Sequence, residues 1–240
     1  MKAITLIIGA VLYSGTWLLA ATADTGSGKL ILQEDFSGSA LPLNWQPSGR
    51  PNSFKIVNGT LQGTCTADDS HGPAISVPVT ASNLTIQFEM KIITPGTLLF
   101  LVDGASQFGG QAHLLRLGLN ATSMSLAQDR GSLESKQAQK KDRDDAHKAG
   151  RKATPPSKDQ LSDPKFYRTE PLARQPVKLH DGQWHKVLLT IRGNETAAQL
   201  DSHPTLKGTA TVLATDKSKL VFLVGQSGVI QVDNVKVWSL

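Results

Sequence analysis

Asp181–Arg192 reads DGQWHKVLLTIR, and Gly228–Trp238 reads GVIQVDNVKVW. The first is a turn, an aromatic anchor at Trp184 and a β-run. Val187, Leu189 and Ile191 recur at the two-residue period of a strand with one buried face. In the second stretch Val229, Val235 and Val237 are apolar, while Gln231, Asp233 and Lys236 are not. Asp233-Asn234 breaks the alternation there, which predicts a turn or bulge inside the terminal strand.

The same period extends outward from these two runs. Leu84, Ile86, Phe88, Met90 and Ile92 share one face of a strand, and Thr85, Gln87, Glu89 and Lys91 share the other. Thr97–Val102, TLLFLV, is apolar on both faces and reads as a central strand. Asn58-Gly59 is the strongest hairpin turn in the chain, between Ser53–Val57 and Thr60–Gly63. Further strands are expected at Lys29–Phe36, Pro73–Val79, Ala112–Leu119, Thr122–Ala127, Thr196–Asp201, Pro204–Val212 and Lys219–Val224. Pro78 suggests an edge or an end. Trp45 is expected to pack on the sandwich edge, with sugar stacking as the alternative. Many short strands spaced by turns, with little helical periodicity, predict an all-β sandwich of two antiparallel sheets.

One segment departs from this pattern. Gln128–Lys165 gathers Lys140, Lys141, Asp142, Arg143, Asp144, Asp145, Lys148, Arg151 and Lys152, and large apolar residues almost vanish from it. Ser132 could cap a helix from Leu133, Gly150 could end it, and Pro155-Pro156 forces extended chain. This reads as a charged insertion, partly helical and partly disordered. It is either a solvated excursion or a lid beside a ligand groove.

The compartment is written at the start. Lys2, an apolar run over Ala3–Ala20 and Ala21-Thr22-Ala23 have the form of a secretory signal peptide spanning residues 1–23. The run is also about the length of a membrane-crossing helix, but the small-residue site and the polar stretch after it favour cleavage. Residues 24–240 are then one sandwich domain by length, secreted or periplasmic, with no membrane span in the mature chain. Cys65 is the one cysteine, so an internal disulfide is excluded. The net charge of +5 is compatible with anionic polymers or membrane surfaces, but sparse aromatics and the lack of a nucleic-acid motif argue against nucleic acid as a partner.

Chemistry is harder to find. A retaining glycosidase needs two carboxylates about 5 Å apart, and no E-x-D-x-E triplet occurs. Adjacent Glu34-Asp35 point to opposite faces of a strand. Metalloprotease, nucleophile-elbow, P-loop and dinucleotide motifs are absent. No cofactor is expected. Calcium could use Asp68, Asp69 or Asp103, but no ordered spacing supports it. What remains is polar residues on strands that should be apolar. A carbohydrate on the concave sheet is expected near His113, Arg116 and Gln128, with Asp129 and Arg130 at the rim beside the insertion. His113 and Arg116 are three apart, so only a bulge puts both in one groove.

With these residues in view, the chain resembles a known family. EDF…NW near the start, LTIQFEMKI, His113–Leu119, LAQDRGSLESKQAQKKD, DGQWHKVLLTIRG and GVIQVDNVKVW resemble secreted β-sandwiches of planctomycetes and their relatives. Those are related to the 3-keto-disaccharide hydrolase domain family of the concanavalin A-like lectin/glucanase superfamily. The resemblance implies a jelly roll and carbohydrate handling outside the cytoplasm, as a binding module or as a hydrolase or lyase of a modified sugar. A structural envelope protein is the third possibility. The family's L-N-G and L-Q-x-H-G turns are replaced here by Gln199–His203 and Leu223–Ser227, and no hydrolase residue carries over.

Overall fold

The computed structural model describes residues 28–69, 71–225 and 227–240; the signal peptide expected at 1–23 lies outside them. The strands are β1 (Lys29–Glu34), β2 (Gln46–Ser48), β3 (Phe54–Val57), β4 (Thr60–Thr64), β5 (Ala74–Ala81), β6 (Leu84–Thr94), β7 (Thr97–Ala105), β8 (Gln111–Asn120) and β9 (Ser123–Arg130). Two helices follow, α1 (Leu133–Lys148) and α2 (Lys158–Ser162). The chain continues through β10 (Arg168–Pro176), β11 (His185–Arg192), β12 (Glu195–Leu200), β13 (Leu206–Thr209), a 3-10 turn at Thr211–Ala214, β14 (Lys217–Gly225) and β15 (Val229–Ser239).

These strands form two antiparallel sheets. One runs β13-β12-β11-β6-β15-β4-β3, with β1 also on β15; the other runs β10-β9-β8-β7-β14-β5-β2. The two runs that opened the reading, β11 and β15, flank β6 on either side. The doubly apolar β7 sits at the middle of its sheet, with Leu98, Phe100 and Val102 on its core face. The expected break in β15 is a bulge between Asp233 and Lys236, with Asn234 at φ 51°. It falls where β15 exchanges β4 for β1 as its second neighbour. Asn58 and Gly59 both take positive φ, as the two-residue hairpin requires.

The core lies between the sheets. Leu84, Ile86, Phe88, Met90 and Ile92 are all buried on it, as are Val187, Leu189 and Ile191. Phe88 reaches from one sheet to Phe100 and Phe222 of the other, at 5.1 and 5.4 Å between ring centres. Trp45 continues the aromatic chain, 5.8 Å from Phe222 and 5.0 Å from Phe36. At 3% exposure it cannot stack on a sugar. Crossings between the sheets are tight. A Cβ at Gly96 would come within 2.4 Å of the Gly228 Cα, so the turns after β6 and before β15 meet backbone to backbone.

Several expectations need correcting. Pro204–Val212 is not one strand but β13 followed by the 3-10 turn. β2 and β10 carry no alternation strong enough to read, and they lie at opposite edges of their sheet. Trp184 is 39% exposed, and the buried member of that turn is His185. Its Nδ1 meets the Asp201 carboxylate at 2.7 Å and its Nε2 meets Asp181 at 3.0 Å. Asp201 also accepts the Lys186 backbone N–H at 2.7 Å. Burial disfavours the imidazolium, but the two carboxylates overcome it and hold His185 above its ordinary pKa.

Two measurements test this account. Phe88→Ala should destabilise by about 3–5 kcal/mol in chemical unfolding; a loss below ~1 kcal/mol would mean the face is misassigned. The His185 clamp contributes only while the ring is charged. Its raised pKa makes that contribution complete below the ordinary histidine value of about 6.5 and lost as pH climbs through the folded value. The stability gap between the native chain and His185→Gln should therefore be wide at pH 5–6 and narrow in mild alkali. A gap independent of pH would show that the ring packs as a neutral group.

Candidate functional site

The site is built on the outward face of the seven-stranded sheet, where β7, β8, β9 and β10 meet the charged insertion. On β8 the required bulge is present. Val102 pairs with Leu115 and Asp103 with His113, leaving Leu114 as the extra residue. The core-facing alternation of Leu115, Leu117 and Leu119 is kept, and His113 and Arg116 are both turned outward. Asp103 projects from β7 on the same face, opposite His113.

Two charged groupings result. In the first, His113 Nδ1 meets the Asp103 carboxylate at 2.6 Å, and the Lys219 ammonium lies 3.5 Å from its other oxygen. In the second, Arg116 grips Asp129 with two bonds, Nε at 2.6 Å and a terminal nitrogen at 2.7 Å. The Tyr167 hydroxyl donates to Asp129 at 2.7 Å and the Thr169 hydroxyl at 2.9 Å. Asp129 is 5% exposed. Burial raises its carboxyl, but the bonds and charge of Arg116, with Tyr167 and the charge of His113, outweigh this and hold it below the ordinary aspartate value. Tyr167 moves the other way, up, because it is half-buried beside that carboxylate. With four donated bonds, Asp129 has no free lone pair for acid–base chemistry. It positions Arg116.

The insertion reaches into this arrangement. Ser132 caps α1 as expected, accepting the Ser135 N–H, and Gly150 follows its end at φ +65°. The helix is tied to the sheet by polar bonds. Ser135 Oγ accepts the Tyr167 N–H at 2.9 Å, and the Gln139 amide donates to the Tyr167 carbonyl at 2.8 Å. Lys136 lies 3.7 Å from Asp129 and 4.8 Å from the Tyr167 ring centre. A solvated excursion would not be docked this way. The helical part expected within 128–165 is α1 and α2, and the strand before the insertion runs on to Arg130.

The five expected residues do not form one set. His113, Arg116 and Asp129 come together. Gln128 and Arg130 alternate to the opposite face of β9, where both bind Glu170, at 2.9 and 3.1 Å, alongside Arg168 at 2.7 Å. Tyr167, Thr169, Lys136 and Lys219 were not expected at the site, and Asp103 was expected only as a calcium candidate. Only Asp103 carried a signal, a charge closing an apolar run. The calcium candidates do not converge: Asp68 pairs with Arg50, Asp69 caps Gly72, and Asp103 holds His113. Acidic residues do face each other on the other sheet, where Asp233 is in register with Glu89. Burial, then the charges of Glu89 and Asp35, raise the Asp233 pKa despite a backbone bond from Asn234. Glu89 is bound by the Asn234 amide at 3.0 Å, so the pair stands at the β15 bulge. A cleft of about 650 Å³ opens between α1 and residues 153–161 and shares Tyr167 and Thr169 with the cluster.

No family model matches the sequence, and no curated protein matches it. Solved structures do resemble it. LamAcat from Zobellia galactanivorans superposes with a TM-score of 0.55 at 12% identity, over 88% of this chain and 98% of that one. The laminarinase from Rhodothermus marinus gives 0.55 at 10%, over 88% and 97%. The CBM2 module of the Lactobacillus casei BL23 phage J-1 evolved Dit gives 0.55 at 10%, over 88% and 95%. This likeness is one of fold: the chain is a two-sheet jelly-roll sandwich like these proteins. No helix among the described residues is long and apolar enough to cross a membrane.

The Arg116–Asp129 pair gives a direct test. Removing Arg116 strands a buried carboxylate, so Arg116→Ala should cost about 3–5 kcal/mol in chemical unfolding. Arg130→Ala breaks a partly exposed pair and should cost no more than about 1 kcal/mol. Equal small losses would mean that Asp129 does not depend on Arg116.

Proposed function

We propose that this chain is an exported carbohydrate-binding protein whose sugar lies over His113 and Arg116 on the outward face of the seven-stranded sheet. The observation that carries this reading is the state of His113. Its Nδ1 is fixed by Asp103, while its Nε2 has no hydrogen-bond partner among the described residues. An oriented ring with one free nitrogen, beside a guanidinium locked in plane by Asp129, presents hydrogen-bonding groups at fixed angles. Sugar hydroxyls require such groups. Leu99 and Leu223, in register and partly exposed on the same face, offer an apolar step for the C–H face of a ring. The glucanase and CBM2 folds among the structural neighbours support carbohydrate as the ligand class.

The Asp103–His113 pair favours one second reading, a hydrolase or lyase of the 3-keto-disaccharide type. A histidine oriented by a carboxylate can take a proton from carbon beside a ketone. The missing glycosidase carboxylate pair on this face does not weigh against that chemistry.

A glycan array probed with the mature protein, with and without calcium, tests both readings. Binding to a defined glycan class is expected, and His113→Ala should weaken it roughly ten-fold or more, the loss of one hydrogen bond, with a smaller loss of stability than Arg116→Ala because Lys219 stays 3.5 Å from Asp103. A blank array in both conditions would overturn the binding reading. For the second reading, cleavage of a 3-keto-disaccharide should vanish in His113→Ala and persist in Glu89→Gln on the other sheet. Equal loss in both variants would remove the dyad from the chemistry.

A further inference from the structure

We infer that the ligand of this site is an acidic carbohydrate, carrying a carboxylate or a sulfate ester, and that its anionic group is bound by the Lys136 ammonium. The inference rests on the proposed sugar site and names the class of sugar.

The charges of the cluster do not balance. Asp103 faces His113 and Lys219, and Asp129 faces Arg116 and Lys136. Two carboxylates thus stand against three permanent cations and a histidine. Asp129 is saturated by Arg116, Tyr167 and Thr169, which leaves Lys136 at 3.7 Å, beyond hydrogen-bonding distance. Lys136 therefore holds Asp129 only at long range, with its ammonium over the Tyr167 ring face. Its side chain is 36% exposed, so the ammonium has lost part of its water, and in return it has only a long contact to a carboxylate already engaged by three other groups. Burial accordingly lowers its proton affinity, and Arg116 pushes in the same direction against the pull of Asp129. An ammonium in this position is stabilised by an anion that supplies acceptor oxygens.

The insertion explains why the cation is there. Lys136 belongs to the first turns of α1, and α1 is fixed over the sheet by Ser135 and Gln139 on the Tyr167 backbone. The other α1 lysines with partners, Lys140 and Lys141, are paired along the helix surface with Asp144 and Asp145. Lys136 is the one that reaches the sheet. Neutral sugars need no such group.

The test compares three probes by calorimetry on the mature protein: an oligogalacturonide, a sulfated carrageenan oligosaccharide and a neutral laminari-oligosaccharide. At least one acidic probe should bind more tightly than the neutral one, and its affinity should fall with added salt. Lys136→Gln should weaken that binding roughly ten-fold and leave the melting temperature within a few degrees, while Lys136→Arg should restore most of it. Which acidic probe responds separates carboxylate from sulfate. Preference for the neutral probe would overturn the acidic-ligand inference and leave the sugar site standing. Acidic binding indifferent to Lys136→Gln would also overturn it. Binding of none of the three would count against the sugar site itself.

Discussion

The site depends on one buried charge. Asp129 stands near the end of β9 at 5% exposure, where an unpaired carboxylate would cost several kcal/mol. Every element around it answers that cost. β8 supplies Arg116, the chain leading into β10 supplies Tyr167 and Thr169, and α1 supplies Lys136 at longer range. Because Tyr167 is shared, the same residue that satisfies Asp129 also anchors α1 through its backbone. A charged insertion with only Ala146 buried along its main helix is thereby given a fixed place. The constraint is electrostatic, and the packing follows from it.

Most of the sandwich was legible because the period of two is a physical requirement of a half-buried strand. β6, β7, β11 and β15 announce themselves through it, and the Asp233-Asn234 interruption announces the bulge. β10 could not be read in the same way. Arg168–Pro176 carries two prolines and alternates in no consistent sense, since it is an edge strand held by Asp129, Gln128 and Ser125 on one side. Its identity is a property of its neighbour. The 3-10 turn at Thr211–Ala214 was absorbed into a strand for a similar reason: four residues carry too little periodicity to separate the two.

The site was legible only in part, and the reason lies in register. Polar residues on apolar strands pointed to His113, Arg116 and Asp129, and the need for a bulge could be stated in advance. The bulge itself is decided by the pairing of β7 with β8, which local sequence does not encode. Gln128 and Arg130 were drawn in by proximity along the chain, although alternation sends them to the other side of β9, to Glu170. Glu89 and Asp233 show the reverse case. They are far apart in sequence and opposite each other in the sheet, so a search for carboxylates on a single strand passes over them.

The distribution of acids also bears on what kind of chemistry the fold can host. On the outward face of the seven-stranded sheet both carboxylates are already used, Asp103 to orient His113 and Asp129 to hold Arg116 flat. A pair committed to positioning cannot also divide the roles of acid and nucleophile, because each would have to release its partners to do so. What remains to meet a ligand is His113 Nε2, with no hydrogen bond among the described residues, and the Lys136 ammonium, held to Asp129 only at long range. That combination can read hydroxyls and an anionic substituent, or take one proton, and it leaves direct displacement at a glycosidic carbon without a nucleophile. The jelly roll is thus shared with laminarinases, but a shared fold sets only the spacing of the strands, and function resides in the side chains placed on them.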